Sequence, residues 1–101
     1  TERNVYVVDS DGVLLNQFAT DPLASSGPTH PQGITCITSG TFAGNYAIAD
    51  DYMDEVFIVS QNGELRNNFD TSSLGAANPR GIAYITSGTF DGNLAVIDYP
   101  H

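Results

Sequence analysis

The stretch PQGITCITSGTFAGNYAIAD, Pro31 to Asp50, returns as PRGIAYITSGTFDGNLAVID, Pro79 to Asp98, displaced by 48 positions with 13 of 20 residues identical. Working outward, VYVVDSDGVLLNQFAT, Val5 to Thr20, returns as VFIVSQNGELRNNFDT, Val56 to Thr71, displaced by 51 with 7 of 16 identical. Nearly the whole chain is therefore two copies of one unit of about 50 residues, a period typical of stacked repeats. The offsets differ because the connecting loop reads ATDPLASSGPTH in one copy and DTSSLGAANP in the other, and insertions in loops cost little.

Each unit predicts four short strands: Ile34–Thr38, Tyr46–Ala49, Val56–Ser60 and Glu64–Phe69 are separated by turn-forming residues, and no segment carries a helical period. Asp11-Gly12 and Asn62-Gly63 predict tight hairpins with positive φ at the turn. Gly44-Asn45 and Gly92-Asn93 close a wider Ser-Gly-Thr-Phe-x-Gly-Asn loop. The runs Val5-Tyr6-Val7-Val8, Phe57-Ile58-Val59 and Leu94-Ala95-Val96-Ile97 are apolar on consecutive positions. Side chains alternate faces along a strand, so such runs predict sheets buried on both faces, as inside a stack; a two-sheet sandwich would alternate apolar with polar.

Four-stranded antiparallel units of this length, apolar on both faces, point to an all-β fold built from blades of a β-propeller, which closes with ~4–8 blades. The chain resembles the NHL-repeat and the SMP-30-like, gluconolactonase-type six-bladed families. The resemblance rests on Pro31-Gln32-Gly33-Ile34 and Pro79-Arg80-Gly81-Ile82, on strands ending Ala49-Asp50 and Ile97-Asp98, and on the run Val56 to Gly63 followed by a strand ending at Phe69. Glu55 and Asn4 stand where the NHL pattern carries Arg. With strands lettered A to D outward from the ring axis, residues 33–69 form a complete blade. Residues 5–20 supply strands C and D, and residues 81–98 strands A and B, of a second, split blade, so residues 1–101 read as one two-blade unit.

Two blade equivalents cannot close a ring, and alone they leave apolar faces and open strand edges. The expected partner is a second copy of the chain: strands A and B of one copy pair with C and D of the next through Val5, Tyr6, Val7, Val8, Leu94, Val96 and Ile97. A closed homomeric ring then has an even blade count. The trimer with six blades is favoured and the tetramer with eight comes second, ahead of a dimer, a head-to-tail filament or one piece of a longer propeller. Joining successive chains puts seven residues, Tyr99 to His101 and Thr1 to Asn4, between Asp98 and Val5, against five, Asp51 to Glu55, in the unbroken blade.

The 101 residues fall far below the roughly 250 of a large enzyme barrel. Three Arg, no Lys and twelve Asp or Glu give a net charge of −9, which disfavours nucleic acid and anionic membranes as partners. Apolar runs are far shorter than the ~20 residues that span a bilayer, and no signal peptide opens the chain. The lysine-free composition, rich in Asn, Ser and Thr, reads as that of a soluble extracellular or secreted product. Cys36, the one cysteine, is expected as a small buried side chain, and His30 and His101 supply no catalytic histidine set.

In a propeller the D–A and B–C connections ring one mouth of the channel. There Asp50 and Asp98 could gather carboxylates for calcium, the one cofactor considered, or simply brace strand ends. Asp9-Ser10-Asp11-Gly12 looks like half a calcium loop, but its counterpart Ser60-Gln61-Asn62-Gly63 lacks both acids and a hairpin turn reads better. Arg80 is expected to pair with Asp98 or to take an anion. Tyr52 and Tyr99, with Met53, form a ligand rim or pack at a blade junction, and Phe18, Phe42, Phe69 and Phe90 pack blade on blade. The resemblance to lactonases implies a metal held by Glu, Asn and Asp, yet Gln32 and Arg80 occupy the matching strand starts, so that catalytic set does not carry over. The expectation is a non-enzymatic, self-assembling module, a scaffold or binding surface with no catalytic residues. The alternatives are a calcium-dependent lactonase- or esterase-like hydrolase and a multivalent carbohydrate-binding propeller.

Overall fold

The computed structural model describes residues 3–23, 29–75 and 78–99. Part of the seven-residue junction expected between Asp98 and Val5 lies outside them, as does part of the loop in which the two copies differ. The fold is all-β. Its strands are β1 (Asn4–Val8), β2 (Leu14–Ala19), β3 (Pro31–Cys36), β4 (Tyr46–Asp50), β5 (Glu55–Val59), β6 (Leu65–Asp70), β7 (Pro79–Tyr84) and β8 (Leu94–Asp98). They form three antiparallel sheets: β1–β2, β3–β4–β5–β6 and β7–β8.

Strands β3 and β7 begin at the prolines, ahead of the starts at Ile34 and Gly81 that the sequence suggests. A first strand residue tolerates the missing N–H. In both copies the register then skips a residue, pairing Pro31 with Asp50 and Gly33 with Ala49, and Pro79 with Asp98 and Gly81 with Ile97. The bulge this creates is where Gln32 and Arg80 sit. Glycine follows the bulge because β3 and β7 meet there backbone to backbone: a Cβ on Gly33 would stand 3.0 Å from the Arg80 carbonyl oxygen and 3.2 Å from Gly81 Cα.

The hairpins are wider than the sequence predicts. Gly12 N–H donates to the Asp9 carbonyl and Gly63 N–H to the Ser60 carbonyl, and only the glycines, at φ +86° and +90°, are left-handed. A two-residue turn would need positive φ at Asp11 and Asn62 as well. Side chains brace these loops instead: Asp9 Oδ1 accepts the N–H groups of Asp11 and Val13, and Ser60 Oγ those of Asn62 and Glu64. The carboxylate that suggested a calcium half-motif is thus engaged as a turn brace.

The four-stranded sheet is the middle layer. On one face Ile48, Phe57 and Val59 pack with Phe18 of β2 and with Val5 and Tyr46. On the other Ala47, Val56 and Ile58 pack with Ile82, Tyr84, Leu94 and Val96 of β7 and β8. Alternate residues of β4 and β5 therefore point into different apolar layers, and Ala47–Asp50 and Val56–Val59 are all buried. The half-sheets behave differently. β1 and β8 are covered on one face only, leaving Tyr6 59 %, Val8 51 % and Ile97 64 % exposed, so the expectation of two buried faces holds for the middle strands β4 and β5 of the central sheet alone. Cys36 is likewise exposed rather than buried, because it sits on the open part of β3, and Phe90 is exposed because its half-sheet has nothing packed outside it.

Candidate functional site

An unfilled surface lies where the central sheet extends beyond β1. Two adjoining recesses of about 330 and 280 Å³ run between Val5–Val8 and the β3 residues Gly33, Ile34 and Cys36, with Tyr46 and Ile48 as floor. Among the described residues β1 pairs only with β2 and β8 only with β7, so each has an unpaired outer edge. Such edges are templates for another strand. Six of the seven residues expected to assemble divide into two sets. Leu94 and Val96 already pack on the central sheet, and Val5 packs on its other face. Tyr6, Val8 and Ile97 stay exposed, and Ile97 shares its face with Gly81, while Ala95 and Ala83 pair beside them.

The loops that the sequence assigns to a channel mouth form a second cluster. Asp50 is 1 % exposed, and its carboxylate accepts the backbone N–H groups of His30 (2.7 Å), Tyr52 (3.0 Å) and Met53 (2.9 Å). Asp98 repeats the first of these contacts, accepting Asn78 N–H at 2.9 Å. Each carboxylate holds the loop that precedes β3 or β7 against the end of the strand paired with it, β4 or β8. Among the described residues no three His, Cys, Asp or Glu groups are arranged to hold a metal ion.

Arg80 does not pair with Asp98, which the Asn78 amide already engages. Its Nε lies 2.9 Å from Asp51 Oδ2 without pointing its N–H along that line, so the pair is an ion contact rather than a linear hydrogen bond. The guanidinium also lies 5.4 Å from the Tyr99 ring centroid, a cation–π contact. Asp51 meets His30 Nδ1 through its other oxygen, and its side chain is 6 % exposed. Gln32 Nε2 stands 3.0 Å from the same His30 nitrogen. The proposed rim splits: Tyr52 and Tyr99 are exposed, whereas Met53 packs into the first apolar layer.

Sequence reasoning takes Asp51 and Asp54 only as part of a solvated acidic loop and gives neither a role of its own. Asp51 aligns with Tyr99 in the other copy, and that break in the repeat is the signal that could have marked it. Asp54 has φ +55°, the one left-handed non-glycine residue among those described, and its carbonyl accepts Thr71 N–H. Burial, then the nearby carboxylates of Asp70, Asp51, Asp50 and Asp98, push its carboxyl above the ordinary range. The cluster is therefore organised by acid–amide bonds, the Arg80 cation and mutual repulsion, a surface that can contact a ligand. No family model, curated protein or solved structure matches the chain.

Proposed function

We propose that the chain is a non-enzymatic, self-assembling β-propeller module that acts as a scaffold or binding surface. A single observation carries this reading. A complete four-stranded sheet is flanked by two incomplete ones, of which one supplies the two inner strands and the other the two outer strands of the same repeat unit. Pairing β8 of one copy with β1 of the next makes the incomplete sheets whole, covers Tyr6, Val8 and Ile97, and satisfies both open edges. The bonding is head-to-tail, so closure depends on the rotation per step, and six blades from three chains are favoured. Around one mouth of that ring the Arg80, Asp51, His30 and Tyr99 cluster recurs once per chain, and its repeated copies form the binding surface.

Native mass spectrometry with light scattering at micromolar concentration tests this. The expected species has three times the 10.7 kDa chain mass, or four times in the eight-bladed ring. A stable monomer overturns the proposal.

A further inference from the structure

The chain contains one complete sheet-to-sheet junction on each side of its central layer, and the two repeat offsets transcribe those junctions onto the open surfaces. We infer that the recess beside β1 is the seat of the β7–β8 hairpin of a second copy, in a single register with Leu94 opposite Val8, Val96 opposite Tyr6 and Ile97 opposite Val5. This deepens the self-assembly reading and rests on it.

The register follows from the central sheet. There β4 pairs with β5 as Tyr46 with Val59, Ile48 with Phe57 and Ala49 with Val56. Adding 48 to the β4 numbers and subtracting 51 from the β5 numbers gives the three intermolecular pairs. The faces agree. Val5 already turns toward the central sheet, and Ile97 opposite it would enter the recess floored by Ile34 and Ile48. A register slip by one residue would turn Ile97 out to solvent and is disfavoured for that reason.

The glycines give a second, independent reading of the same seat. Gly33 touches the β7 backbone so closely that a Cβ there would meet the Arg80 oxygen at 3.0 Å. Gly81 holds the same repeat position, yet a Cβ there would meet only the Ile97 side chain, no closer than 3.4 Å. Within one chain, then, nothing requires glycine at 81. In the assembly Gly81 faces the Gln32–Gly33–Ile34 backbone of the next copy, and the requirement returns. The outer strands repeat the pattern: a Cβ on Gly63 would strike Phe18 at 2.6 Å, whereas one on Gly12 meets nothing within 4 Å until Phe69 of the neighbouring copy fills that place.

Two measurements test the seat. Gly81→Ala should leave the far-UV circular dichroism of the chain unchanged and weaken self-association roughly tenfold or more by sedimentation equilibrium, the effect of an overpacked contact. In a Cys36→Ser background, Ala95→Cys with Val7→Cys should give intermolecular disulfides on mild oxidation, because these positions align with the opposed pair Ala47 and Ile58. The pair Ala95→Cys with Val5→Cys, two residues out of step, should give few. Assembly with unaltered strength in Gly81→Ala, or preferential cross-linking of the offset pair, overturns the register while self-assembly stands. A wild-type chain that is monomeric by mass, with no cross-link in either cysteine pair, overturns both.

Discussion

Gly63 provides a sharp test of how β1–β2 docks on the central sheet. Its φ of +90° is strained for any residue with a Cβ, and an added Cβ would lie 2.6, 2.7 and 2.9 Å from Cδ1, Cγ and Cβ of Phe18. Carbon atoms in contact sit about 3.5–4.0 Å apart, so the ring must retreat by roughly an ångström. Phe18 has little room, being 8 % exposed, stacked 6.2 Å from Tyr46 and packed on Phe57 and Val59. Gly63→Ala thus combines left-handed strain of about 1 kcal/mol with overpacking of about 1–3 kcal/mol, for a loss of about 2–4 kcal/mol. Gly44 has the same φ of +90° with nothing within 4 Å of its Cβ position, so Gly44→Ala should cost only the strain, about 1 kcal/mol. Urea denaturation followed by circular dichroism measures both, and the difference isolates the packing contribution. In a double-mutant cycle with Phe18→Ala, which removes Cγ and Cδ1 and keeps only the Cβ at 2.9 Å, most of the excess at Gly63 should disappear. Equal losses at the two glycines, or an excess undiminished by removal of the Phe18 ring, would mean that Phe18 is not seated over the turn and that this docking is wrong.

The acidic cluster around Asp50, Asp51 and Asp54 yields further expectations. Asp54→Asn should stabilise the fold at neutral pH, since Asn tolerates left-handed backbone and carries no charge among the surrounding carboxylates. Because the folded-state pKa of Asp54 is raised, its ionisation costs stability, so the advantage of Asn should shrink as pH falls through that raised value, as thermal melts across acid pH would record. Asp51→Asn removes the charge shared by His30 and Arg80 and should lower stability by about 1–2 kcal/mol in chemical denaturation. Calcium at millimolar concentration should leave the melting temperature unchanged, because Asp50 spends its carboxylate on three backbone amides; a rise would locate a cation site elsewhere on the acidic surface. With −9 charges per chain and an apolar junction, self-association should tighten as salt rises from low to physiological ionic strength, where the Debye length is about 8 Å, and sedimentation at a series of salt concentrations reads this directly.

Much of the architecture is legible in the sequence because the repeat is written twice. The offsets of 48 and 51 separate inner-strand from outer-strand pairs, and the sheets divide along that line into β1–β2, the four-stranded middle and β7–β8. The four-stranded sheet runs from Pro31 to Asp70, wider than the span 33–69 read from the repeat by Pro31 and Gln32 at its start and Asp70 at its end. Turn geometry was less legible. An Asp-Gly or Asn-Gly pair is compatible with several hairpins, and the choice depends on the brace from Asp9 or Ser60, a side-chain contact that a dipeptide does not encode. The mouth was legible only in part. Asp50 and Asp98 were singled out as recurring acids, but their engagement with loop amides, and the choice of Asp51 as the Arg80 partner, depend on how the bulges at Gln32 and Arg80 aim the chain.

Covalent order alone determined the strands, their pairing within each unit and the division of one unit between the two halves of the chain, because hydrophobic runs and turn residues act over a few positions. Tertiary structure alone decided which of two equivalent residues is buried. Val59 and Val8 share a repeat position, as do Ala49 and Ile97, yet in each pair the first is sealed and the second open. The physical reason is that burial belongs to the layer stacked on a face and not to the residue itself: the central sheet has a neighbour on both sides, and each half-sheet has a neighbour on one.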